Sequence, residues 1–146
     1  MTWKQLLADG RVDPHATSRQ ELQDLLRAAA RNLRDAGVRG LSPDNAFGLA
    51  YEAVFLLAKA VLACAGYRVR GLGAHHTTFV ALEVAMGASM SETAGYFDRC
   101  RRKRNELSYD AAGVASEAEA TELREEAGRF QAYVHAWIKT HHPALS

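Results

Sequence analysis

The stretch from Ser42 to Gly66 restricts this chain more than any other. Ser42 followed by Pro43 reads as an N-cap and a first helical position, where proline's missing N–H would have had no partner anyway. With Gly66 as C-cap, the spacing predicts a helix to about Ala65. Phe47, Tyr51, Val54, Phe55, Ala58, Val61 and Leu62 give it the broadest apolar face in the sequence, and Glu52 and Lys59 are the only charges between Phe47 and Ala65. A face that wide must be covered on several sides, which puts this helix in the middle of a bundle.

The covering helices are marked by their caps. Thr2 with Gln5, Ser18 with Glu21 and Ser116 with Glu119 are capping-box pairs. They open helices over Trp3 to Ala8, from Ser18 to about Ala36, and from Ser116 to about Thr140. Leu22, Leu25, Leu26, Ala29 and Leu33 stripe the second of these, and Leu123, Ala127, Phe130, Val134 and Trp137 the last. Two more helices are expected, from about Ala74 to Met86 and from Ser89 or Ser91 to about Ala111, before Gly113. Asp13, Pro14 and His15 read as a turn, and Arg68 to Gly73 as a connection. Gly71 and Gly73 are no dinucleotide loop, because no strand precedes them and a third glycine is missing.

The pattern therefore predicts one all-α domain over residues 1–146. It is an antiparallel up-and-down bundle of four to five helices over 18–140, with residues 1–16 as an N-terminal arm or short helix pinned by Trp3 and Leu6. A hydrophobic content of 48% suits a globular core, and a net charge of +1 gives no overall field toward nucleic acid or anionic lipid. Lys59 interrupts the longest apolar run, so no membrane span is expected. Without a recognisable signal peptide, the expectation is a soluble cytoplasmic protein in which Cys64 and Cys100 are buried thiols.

Anion binding must then come from local clustering, and five of the six residues from Arg99 to Arg104 are basic. On a helix, Met90, Thr93, Phe97, Arg101, Arg104 and Ser108 share one side, while Arg99, Arg102, Lys103, Glu106 and Asp110 point to water. Arginines that share a face with a phenylalanine need an acceptor, since an ionised group out of water costs several kcal/mol when unpaired. Glu52 and Glu83 are the candidate internal acceptors; a phosphate or a second subunit are the others. His75 and His76 head a helix but point about 100° apart, and no ligand spacing accompanies them, so neither a metal nor any other cofactor is expected. No catalytic triad is evident, and Ser108 has no base beside it in sequence.

Arg104, Asn105 and Tyr109 in RNELSYD, within an all-α frame of this length, resemble the signature of the HEPN family, whose members are helical bundles and usually dimers. Its motif is an arginine, commonly followed by a polar residue, then a histidine a few residues on. Arg104 and Asn105 match the beginning, and Tyr109 stands at the histidine position. The resemblance covers about Ser18 to Thr140. In catalytic members it implies metal-independent RNA cleavage, with arginine and histidine from two subunits forming one site, in toxin–antitoxin or phage-defence systems; other members pair with a small nucleotidyltransferase.

Arginine suits stabilising charge on the phosphate but cannot act as a base. A phenol, with a pKa of about 10, is a poor substitute for imidazole near neutrality, which forfeits roughly 10²- to 10⁴-fold of rate. The resemblance therefore implies a homodimeric binder of nucleotide, RNA phosphate or a nucleotidyltransferase partner, with Arg101, Arg104, Asn105 and Tyr109 as its contact surface. The alternatives are an endoribonuclease, in which Arg104 acts with Tyr109 or with His75 or His76, and a ligand-free oligomerisation bundle whose arginines close an interface.

Overall fold

The computed structural model describes residues 1–107 and 113–146. Among these residues six α-helices carry the fold: α1 (Trp3–Ala8), α2 (Arg19–Ala36), α3 (Pro43–Ala65), α4 (Ala74–Met86), α5 (Ser91–Leu107) and α6 (Glu117–His141). α1 is the short arm, and the other five form the bundle. The expected continuation of α5 toward Ala111 lies outside the described residues.

α3 packs against α2, α4, α5 and α6. Its Ala50, Tyr51, Ala53, Val54, Leu57, Ala58, Ala60 and Val61 are all at 0% exposure, so its broad apolar face is covered on several sides. By length and composition this helix is apolar enough to cross a membrane, yet 67% of its most apolar 18-residue stretch is buried inside the bundle. The Ser42 side chain accepts from Asn45 N–H at its start, and Gly66, at φ 96°, ends it in the left-handed conformation that glycine adopts without strain.

The turn expected at Asp13 to His15 is instead a strand, β1 (Val12–Pro14), paired antiparallel with β2 (Tyr67–Val69) in the segment read as a connection. Three residues are too few to show an alternating pattern, and the pairing joins segments more than fifty residues apart. The ribbon holds the arm down. Trp3 stacks on Tyr67 at 4.1 Å, Leu6 is fully buried, and Arg11 Nε donates to Thr77 Oγ1 at 3.1 Å.

The capping boxes at Thr2–Gln5 and Ser116–Glu119 form in both directions. At Ser18 only half forms: its hydroxyl accepts from Glu21 N–H, but the Glu21 carboxylate accepts from Thr17 Oγ1 at 2.9 Å and pairs with His15 Nε2 at 2.6 Å. The β-ribbon brings His15 there, with His15 N–H donating to the Gly66 carbonyl at 2.8 Å.

A cationic and histidine-bearing cluster where α3, α4 and α5 meet

On α5 the fully buried stripe is Ala94, Phe97 and Cys100. Arg101 and Arg104 flank it at the helix edge, half-buried, which leaves the Arg101 side chain 19% exposed. The candidate acceptors Glu52 and Glu83 do not take Arg101. Its Nε donates instead to Asp98 Oδ1 at 2.7 Å, one turn back on the same helix, where residues three apart are neighbours. His76 Nδ1 binds the same oxygen at 3.0 Å, and an Arg102 nitrogen lies 3.8 Å from Oδ2. Burial pushes the Asp98 carboxyl up, but the hydrogen bonds from Arg101 and His76 outweigh it and hold the group below its ordinary range.

Beside this network, the Tyr51 hydroxyl meets His75 Nδ1 at 2.9 Å. The imidazole lies flat on Phe55, with ring centroids 4.0 Å apart and planes 4° from parallel. Burial lowers the His75 pKa from its ordinary 6.5; the charges of Arg104 and Arg101 push the same way and Glu52 opposes them. The ring nevertheless reaches solvent. Tyr51, at 0% exposure, is pushed well above the usual phenol range, first by burial, so it stays a neutral hydroxyl.

Arg104 has the wider setting. Its charge acts on both Tyr51 and His75, and with Glu52 and Leu107 it lines an open groove of about 820 Å³ that runs along Asn45, Gly48 and Leu49 of α3. The Asn105 side chain is exposed on α5. Ser108 and Tyr109 lie outside the described residues. Lys103, expected in water, is instead half-buried: its Nζ pairs with Glu119 at 3.0 Å and donates to the Val114 carbonyl at 3.2 Å, tying the end of α5 to the start of α6.

Two sequence expectations thus meet in space: Arg101 and Arg104 from α5, and His75 and His76 from α4. Tyr51, Phe55 and Asp98 were missed. The first two read as ordinary core on the stripe of α3, although Tyr51 and Phe55 four residues apart do mark one face; Asp98, three residues before Arg101, was a legible pair. Among the described residues no group of three or more His, Cys, Asp or Glu is placed to hold a metal ion. Cys64 and Cys100 are buried free thiols, each pushed by burial to about 11.

The class these features define is an all-α bundle with a cluster of arginines and histidines at the junction of three helices. No protein-family model, curated protein or solved structure matches the chain.

Proposed function

We propose that this chain is a HEPN-like module that binds the phosphates of RNA or of a nucleotide through Arg101 and Arg104, with Asn105 and Tyr109 completing the contact surface. The observation that carries the reading is that His75 lies within the electrostatic reach of those two arginines, while His76 shares the Asp98 carboxylate with Arg101. A guanidinium offers forked donors to phosphate, and an adjacent imidazole adds a further donor. The same resemblance extends the proposal to a homodimer, or to a complex with a small nucleotidyltransferase.

The test is fluorescence anisotropy with a labelled single-stranded RNA across a salt series. Arg104→Gln and Arg101→Gln are each expected to weaken binding and to flatten the dependence on log salt by about one unit. Equal affinities and slopes for wild type and both variants would remove the reading.

A second reading, metal-independent endoribonuclease activity, is favoured by the placement of His75, whose Nδ1 meets the Tyr51 hydroxyl at 2.9 Å while the residue reaches solvent beside Arg101 and Arg104. When Nδ1–H donates to the Tyr51 oxygen, Nε2 holds the lone pair able to take the proton of a ribose 2′-hydroxyl. The 2′-oxygen then attacks phosphorus, the bond to the 5′-oxygen breaks, that oxygen takes a proton from water, and the arginines stabilise the phosphorane charge. Cleavage in excess chelator, leaving a 2′,3′-cyclic phosphate and slowed about 10²- to 10⁴-fold by His75→Ala, is the expected result. Intact RNA after prolonged incubation at high protein concentration would dismiss this second reading without touching the first.

A further inference from the structure

The His75 ring is held still on one side and open on another. Its Nδ1 meets the hydroxyl of Tyr51, itself at 0% exposure, at 2.9 Å. Phe55, one turn further along α3, lies against one face with centroids 4.0 Å apart and planes 4° from parallel, and the Tyr51 plane is within 16° of the imidazole. The residue is nevertheless exposed. With Phe55 on one face and Tyr51 at the Nδ1 edge, solvent reaches the ring over the opposite face and the Nε2 edge.

Charges of both signs act on this ring: Arg104 and Arg101 on one side of the balance, Glu52 on the other. That mixture suits an uncharged group at the ring itself, while the two guanidiniums on α5 offer forked donors to a phosphate. A flat uncharged group joined to a phosphate is the chemistry of a nucleotide. Any base can stack on an aromatic face, because every base has a π-face, and a purine covers more of it than a pyrimidine. In a duplex the faces of the internal bases are already stacked on their neighbours, so none is left for the ring.

We propose that the outer face of His75, backed by Phe55 and oriented by Tyr51, is a stacking platform for one unpaired purine base whose phosphate lies on Arg101 and Arg104. The ligand is then a free nucleotide or a single strand of RNA, and not a duplex. This inference rests on the phosphate reading and supplies the part of the ligand that the phosphate reading leaves open. The stack uses the face of the imidazole and leaves Nε2 free.

The probes are a labelled short oligoadenylate, the same strand paired with its complement, and an abasic ribose-phosphate strand of equal length. By anisotropy at matched salt, the single strand is expected to bind about fivefold or more tighter than the abasic strand, and tighter than the duplex despite the duplex's denser phosphates. His75→Ala is expected to weaken the single strand about fivefold and leave the abasic strand unchanged. His75→Phe keeps a flat face and is expected to restore most of that loss. Competition separates the two sources of the base: displacement of the strand by adenosine 5′-monophosphate in preference to ribose 5-phosphate marks a nucleotide site, and a base effect confined to the strand marks an RNA site.

The proposal is overturned if the abasic strand or the duplex binds as tightly as the single strand. Should that happen while Arg101→Gln still weakens every probe, the stack is wrong and the phosphate reading stands. Should Arg101→Gln and Arg104→Gln weaken none of them, the phosphate reading fails and this inference fails with it. The three-strand comparison uses the unaltered protein, so it decides the matter even if a variant folds poorly.

Discussion

His75 stands under opposing influences that a single titration can separate. Burial against Phe55 and the charges of Arg104 and Arg101 disfavour its imidazolium, while Glu52 favours it. Its NMR titration is expected to fall below 6.5, to move up in Arg104→Gln and to move further down in Glu52→Gln. Because the folded pKa lies below the unfolded one, the native state binds fewer protons than the unfolded chain between the two values. Stability therefore rises with pH through that window and levels off above about 6.5. His75→Asn should remove that part of the rise in urea midpoint; an unchanged slope would show that the ring is not held as described. At this scale the helical period sufficed to put Arg101 and Arg104 near the core edge. It did not identify the acceptor, because a carboxylate on the same helix, Asp98, was closer to hand than any across the bundle.

The helices themselves are closed by local chemistry, and two tests address it. Ser116→Ala removes both a side-chain acceptor for Glu119 N–H and the reciprocal geometry of the box, and is expected to cost about 1 kcal/mol in chemical denaturation. Asp44, in the first turn of α3, accepts from Ala115 N–H at 2.8 Å and Gly113 N–H at 2.9 Å, which ties the start of α6 to the central helix. The Ala115 hydrogen bond, the largest influence, and that from Gly113 lower its carboxyl pKa below 3.8. Its contribution is thus complete above the unfolded value and lost as pH falls through the folded one. Asp44→Asn is expected to blunt the acid destabilisation and to speed hydrogen exchange at Gly113 and Ala115 even at neutral pH. Caps were legible because each involves residues only three apart in the chain. The β-ribbon and the diversion of Glu21 to His15 were not, since both depend on distant segments meeting.

For the molecule as a whole, Phe97 is where the bundle's layers converge. It is fully buried, with ring centroids 6.1 Å from Phe79 of α4 and 5.0 Å from Phe130 of α6. Phe97→Ala is expected to destabilise by about 3–5 kcal/mol in urea unfolding while leaving the helices formed in the native baseline. A loss below about 1 kcal/mol would mean that the three helices do not share one core. The membrane-length helix α3 makes the same point in reverse: its apolarity is spent on four neighbouring helices.

Helix positions, the ends marked by caps and the all-α class were determined by the sequence alone, because periodicity and capping act within a few residues. Only the tertiary structure decided that Tyr51 would orient His75, that Asp98 would join Arg101 to His76, and that a ribbon would clamp the arm. Those contacts arise when the faces of separate helices are brought together, and no local pattern specifies which polar groups then meet.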